Sequence, residues 1–170
     1  LMIVFFIVVV IFYLLFILIL HKNNPELRWD WTDINKKITF GPEFMWGTAT
    51  AAHQVEGKCH NNWSEFEKRF QKDGEPNIKN GQKSGLACNH WDLYPNDIEL
   101  IKELGVNHYR FSVEWSKIQP NREEFDQEVL DHYSEMIKLL LKNDIVPVLT
   151  LHHFTHPIWF DELGAFEKEE

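Results

Sequence analysis

Only two cysteines occur in the sequence, Cys59 and Cys88, and they form no Cys-x-x-Cys pair. Thiolate metal sites and dithiol redox chemistry therefore have no foothold, and two free thiols is the plain reading. Basic residues are scarce too: 17 Lys and Arg stand against 26 Asp and Glu, for a net charge of −9. No basic patch stands out, which argues against nucleic acid as a partner. No Gly-rich phosphate loop follows any candidate strand, so a nucleotide-binding doubly wound sheet is disfavoured. His-Glu-x-x-His is missing as well. His152, His153 and His156 make a poor metal set, because adjacent strand residues point to opposite faces.

Charge is absent altogether from residues 1–20, "LMIVFFIVVVIFYLLFILIL", which also lack Gly and Pro. A helix of that length, rising about 1.5 Å per residue, spans roughly the 30 Å hydrocarbon layer of a bilayer. A soluble helix would show a polar face, and here the Tyr13 hydroxyl is the sole polar side-chain group. The run reads as a single transmembrane helix or an uncleaved signal anchor, since "LILHKNN" offers no small-residue cleavage site. On that reading the protein is single-pass, anchored through residues 1–20. Lys22, Arg28, Lys36 and Lys37 follow the helix and favour a cytoplasmic soluble part. The competing reading, a wrongly extended gene start, leaves a cytoplasmic protein with no anchor. Residues 21–40 are polar and rich in turn formers, as a linker is, and residues 41–170 hold the folded part.

What the folded part does contain is regular. "EFMWGTATAAH", residues 43–53, alternates with a period of two and predicts a strand buried on both faces. Residues 58–90 read as a long surface loop with one helical turn around "SEFEKRF". "YPNDIELIKELG" predicts a helix with Asn96 as N-cap and Gly105 as its stop. "VNHYRFSVEW" predicts a second strand. "FDQEVLDHYSEMIKLLLKND" predicts a long amphipathic helix whose core face holds Val129, Leu130, Tyr133, Ile137, Leu140 and Leu141. "IVPVLTLHH" predicts a third strand, again buried on both sides, and "PIWFDELGAF" a loop or helix. Strands alternating with helices mean parallel pairing. The fold class is α/β, the first three βα units of an eightfold barrel that needs about 250 residues, preceded by the transmembrane helix. Three strands alone leave apolar faces and an open parallel edge, so aggregation is the expected behaviour of this part by itself.

Active sites of such barrels lie where the strands end. The three strand ends here carry His53-Gln54-Val55-Glu56, Arg110 through Trp115, and His152-His153-Phe154. Each sets planar polar groups beside aromatics, a combination that suits a sugar, with hydroxyls to pair and C–H faces to cover. Plain readings compete. Gln54 is as readily a satisfied buried amide. Glu56 and Glu114 tempt as a catalytic pair, but structural ion pairs, for instance with Arg110, are the favoured reading. Trp159 and Phe160 read as core. Asn62-Trp63-Ser64 is a formal glycosylation sequon of a kind that arises often by chance.

"FMWGTATAAHQVEG", "NNWSEFE", "YRFSVEWSKIQP" and "LTLHHFTHPIW" resemble, in order, the blocks of glycoside hydrolase family 1, the β-glucosidase and β-galactosidase family. The resemblance covers about residues 40–170 and implies a (β/α)8 barrel that hydrolyses β-linked glycosides with retention, needing no cofactor and no metal. By the same match Gln54 would bind hydroxyls of the non-reducing sugar, and His153 would help hold it. Arg110 would sit beside the nucleophilic carboxylate and keep it ionised. Phe154 stands where the family often has Trp, which puts its sugar contact in doubt. Lys58 replaces a residue that is usually small. Retention needs two carboxyl groups about 5 Å apart. In the family these are glutamates in Thr-x-Asn-Glu-Pro and Thr-Glu-Asn-Gly motifs, and neither motif occurs here. "DGEPN" at 73–77 shares only Glu-Pro. Both catalytic glutamates are therefore expected beyond Glu170, and the chain alone is expected to be inactive. The alternative function is a membrane-anchored, non-catalytic sugar-binding or interaction protein on the same barrel.

Overall fold

The structure is a computed structural model that describes residues 2–24 and 37–168. It divides into two compact units, Leu1–Pro42 and Glu43–Glu170. Most of the expected linker, including Arg28 and Lys36, lies outside the described residues, as do Glu169 and Glu170 of the acidic tail.

In the first unit, helix α1 (Met2–Asn23) buries none of its residues. It runs three residues past the apolar stretch and ends where Asn24 returns both its backbone and side-chain N–H to the Leu20 carbonyl, each at 2.9 Å. By length and composition it is able to cross a membrane, a description that a signal sequence also meets.

The second unit is built on three parallel strands, β1 (Gly47–Ala49), β2 (His108–Ser112) and β3 (Val146–Thr150), in the order β1-β2-β3. Arg110 stands at the register position shared by Ala49 and Val148. The helices are α2 (Ala52–Val55), α3 (Asn62–Phe66), α4 (His90–Glu103), α5 (Trp115–Ile118), α6 (Gln127–Lys142) and α7 (Ile158–Glu162). The α/β class and the parallel pairing thus match the expectation.

Strand one is shorter than its alternation predicts. Gly47 lets β1 approach β2 closely, since a Cβ there would lie 2.9 Å from the His108 carbonyl oxygen. The ladder continues through Thr50, whose N–H donates to the Arg110 carbonyl at 2.9 Å. Then the Ser112 hydroxyl takes the Ala52 N–H at 2.7 Å in place of a backbone acceptor. The chain leaves the sheet there and coils into α2, so His53 and Gln54 sit on a helical turn.

Burial on both faces, expected for the first and third strands, does not hold either. Helices α4 and α6 cover one side only, and Val146 and Val148 remain 47% and 42% exposed. On the covered side Ile98, Ile101, Tyr109, Phe111, Tyr133, Met136, Leu140 and Ile145 form one cluster. Met136 is fully buried there, while the expected core residue Leu141 is exposed.

Helix α6 starts where Asp126 caps the Val129 N–H at 3.2 Å. Helix α4 starts at His90 with Asn89 at its N-cap position, so the expected N-cap Asn96 lies inside the helix, as does Pro95. Pro95 has no N–H to offer the Trp91 carbonyl one turn back. At that turn the His132 ring of α6 stacks on Trp91, centroids 3.9 Å apart.

Candidate functional site

Parallel pairing brings the carboxyl ends of all three strands to one side of the sheet. A small pocket of about 100 Å³ opens there, lined by Ala51, His53, Gln54, Trp63, His153, Phe154 and Thr155. A larger cleft of about 690 Å³ shares His53, Gln54 and Trp63 and continues past Phe66, Arg69 and Ile78. Gln54 is exposed and borders both. His153 is half-buried, with its ring edge-on to Phe154 at 5.0 Å. Phe154 is exposed, lies 6.1 Å from the Trp63 ring, and adopts a φ of +65°. That left-handed conformation costs a bulky residue on the order of 1–3 kcal/mol. It is kept by a Thr155 N–H that donates to the His153 carbonyl at 2.8 Å.

Three of the four residues singled out from the sequence, Gln54, His153 and Phe154, therefore border one pocket. Arg110 does not line it. It sits on β2, its Nη1 donating to Thr150 Oγ1 at 3.4 Å.

Beneath the pocket lies a buried polar layer. His53 accepts from Asn61 Nδ2 at Nδ1 (3.2 Å), and its Nε2–H donates to Glu67 Oε1 (3.1 Å), a tautomer assigned from the partners. The other Glu67 oxygen accepts from the Ser84 N–H and hydroxyl. Asn61 also caps α3 in a capping box with Ser64. Glu56 is 2% exposed and Glu114 is 0% exposed. Glu56 accepts from Lys117 Nζ at 2.9 Å and from Tyr133 Oη at 2.7 Å. Burial raises its carboxyl pKa above the ordinary value, against the opposing pull of Lys117 and Tyr133. Burial likewise pushes the Tyr133 hydroxyl well above its usual range and the Cys59 thiol up to about 12. The structural reading of Glu56 stands, but its partner is Lys117 rather than Arg110. Lys117 also lies over the Trp91 ring, 3.9 Å from its centroid.

Gly57 explains why the first motif ends on glycine. Its φ is +80°, and a Cβ there would fall 2.2 Å from the Leu86 carbonyl oxygen.

Sequence reasoning gave no role at the site to Asn61, Trp63, Lys117 and Thr155, which lie within the quoted motifs, or to the hydroxyl of Tyr133, read only as core. Only Asn61 left a local signal, the Asn-x-x-Ser capping spacing at 61–64. The sequon residue Asn62 uses its Oδ1 to accept the His156 N–H at 3.0 Å, and Ser64 is buried, so both serve the fold. Trp115, by contrast, donates its Nε1–H to Gln119 Oε1 at 2.9 Å and packs on Phe160. Among the described residues no group of three His, Cys, Asp or Glu could hold a metal ion.

Comparison with known proteins sharpens this picture. The sequence profile of glycosyl hydrolase family 1 matches residues 36–170. Beta-glucosidase A of Acetivibrio thermocellus is 36% identical over 141 residues, which cover 79% of this chain and 30% of that protein. The human cytosolic beta-glucosidase is 36% identical over 140 residues, covering 78% of this chain and 29% of that protein. Among solved structures, a beta-glycosidase from Pyrococcus horikoshii is 44% identical with a TM-score of 0.65, covering 75% of this chain and 28% of its own. The family 1 beta-glucosidase from Thermotoga maritima is 35% identical with a TM-score of 0.67, covering 74% and 29%. The chain thus spans about 30% of the length of these curated relatives.

Proposed function

The chain belongs to glycosyl hydrolase family 1, and from that premise we propose that residues 41–170 are the first three βα units of a β-glucosidase-type barrel. They would supply part of the site for a β-linked glycoside. Gln54 and His153 bind the hydroxyls of the non-reducing sugar, and Phe154 offers its exposed ring to a C–H face of the substrate. Arg110 holds the nucleophilic carboxylate ionised by charge pairing. The two glutamates that retention requires, about 5 Å apart, come from sequence outside these 170 residues, which contain neither motif. No cofactor enters the reaction. Residues 1–20 anchor the protein in a membrane and residues 21–40 link the anchor to the barrel.

The observation that carries this reading is the pocket that Gln54, His153 and Phe154 share with Trp63. Two amide or imidazole groups beside two aromatic rings provide both kinds of contact that a pyranose needs.

The test is a graft. Residues 43–168 replace their counterparts in the Thermotoga maritima beta-glucosidase, and hydrolysis of an aryl β-glucoside is followed. Turnover with retention is expected, and Gln54→Ala should lower kcat/KM by roughly 10- to 100-fold through a lost sugar hydrogen bond. A folded but inert graft would sink the proposal. The 170-residue chain assayed alone should release no sugar. Release that disappears with a point change in the chain would overturn the placement of the glutamates. Sugar binding with no turnover by the longer protein would favour the alternative, an anchored binding protein.

A further inference from the structure

We propose that Glu114 is a positioning residue that sets where Gln54 stands relative to His153 and Phe154; this rests on the sugar-binding reading above. Glu114 follows β2, caps α5, and has no exposed surface. Its Oε2 accepts from Asn61 Nδ2 at 3.1 Å and from Thr155 Oγ1 at 3.0 Å. Its Oε1 accepts from the Ser116 hydroxyl at 2.7 Å and from the Ser116 N–H at 3.3 Å. All four donors are uncharged. They belong to three segments: Asn61 to the one after β1, Ser116 to the one after β2, Thr155 to the one after β3. One carboxyl group therefore joins the three loops that leave the carboxyl ends of the sheet.

Two of these ties reach the pocket wall in a single step. Asn61 bonds His53, the residue before Gln54. Thr155 directly follows Phe154, and both His53 and Thr155 line the pocket themselves. Glu114 is fixed in turn from behind, because its own N–H donates to Tyr133 Oη at 2.8 Å and that hydroxyl donates to Glu56. A buried acceptor loses a full hydrogen bond if any donor withdraws, so the three loops move together or not at all. An apolar residue at 114 would fill the space but leave the Asn61 amide and the Thr155 hydroxyl without this shared acceptor. The spacing between the Gln54 amide and the His153 imidazole, which must match two hydroxyls of one sugar ring, is thereby set by a group that touches no substrate.

The test uses the full chain in detergent micelles, in two arms. In the first, NMR follows the Gln54 side-chain amide and the His153 ring in Glu114→Gln and in the milder Thr155→Val, which removes one donor. Both signals are expected to shift in both variants while resonances in α4 hold still. A folded variant in which neither signal moves overturns the proposal. If Glu114→Gln does not fold, Thr155→Val carries this arm.

In the second arm the probe is 4-nitrophenyl β-D-glucoside. Gln54→Ala should weaken its binding about tenfold in the unmodified chain, the loss of one hydrogen bond. In the Glu114→Gln background the same change should cost less than about twofold, because the amide is already out of place. Equal Gln54→Ala factors in both backgrounds would make Glu114 a stability element only and overturn the proposal. NMR shifts as expected, with no binding by any form, would support the positioning geometry and overturn the sugar reading instead.

Discussion

The apolar cluster between α4, α6 and the covered face of the sheet and the polar layer under the strand ends are both buried, yet they are assembled differently. Ile98, Met136 and Leu140 are fully buried and owe their place to helical spacing and volume. Glu56, Asn61 and Glu114 are as deeply buried, but each is held by named donors and acceptors from distant parts of the chain. Tyr133 belongs to both, with its ring in the apolar cluster and its hydroxyl between Glu56 and Glu114. The first region asks only for hydrophobic side chains of about the right size. The second asks for particular atoms at particular distances, and it lies directly under the residues proposed to meet the sugar.

The sharpest break in this comparison is Lys117→Ala. It strands Glu56 as an unpaired buried carboxylate, and denaturant unfolding should show a loss of about 3–5 kcal/mol. In the apolar cluster, Leu140→Ala should cost about 2–5 kcal/mol by leaving a cavity, whereas Leu140→Met should cost less than about 1.5 kcal/mol. A near-isosteric change in the polar layer, Glu56→Gln, has no such leniency, because its amide NH₂ would confront the Lys117 ammonium or the Tyr133 hydroxyl. If Glu56→Gln proves as mild as Leu140→Met, the two regions do not differ as argued.

How much of this was legible in the sequence follows the same division. Helix α6 could be read from Val129, Tyr133, Ile137 and Leu140, because amphipathic spacing is a local signal. The pocket residues Gln54, His153 and Phe154 could be named from the motifs that carry them. The polar layer could not. Asn61 and Glu114 are 53 positions apart, and no periodicity relates them. The early end of β1 hangs on the Ser112 hydroxyl, 60 positions from Ala52. Burial of Val146 and Val148 was over-read for a different reason: strand composition records what a face tolerates, and only the side under α4 and α6 is covered.

Two smaller effects sharpen the picture further. Burial holds the His132 imidazole below its ordinary value of 6.5, with the polar backbone of Trp91 pulling the other way. Its folded pKa is thus lower than its unfolded one, so its contribution to stability is present above about pH 6.5 and fades as pH falls through the folded value. Thermal midpoints taken from about pH 7.5 to about 5.5 should drop, and drop less in His132→Gln. An equal drop in that variant would assign the slope to other groups. Last, Cys88 is exposed while Cys59 is half-buried with its thiol pushed up to about 12. Iodoacetamide at mildly alkaline pH should therefore alkylate Cys88 first, with no change in stability, and mass spectrometry reads the order directly.

The turn of α4 before Pro95 gives the helix layer a property that neither helix has alone. By withholding one donor, Pro95 costs α4 a hydrogen bond part-way along its length, and at that turn the His132 ring of α6 lies flat on Trp91. Apolar side chains tolerate sliding by a turn, since one greasy ridge fits a groove much like the next. An imidazole stacked flat on one indole does not. The two helices are thereby indexed against each other along their axes, and the stacked pair one turn before Pro95 selects one alignment from several that apolar packing alone would accept.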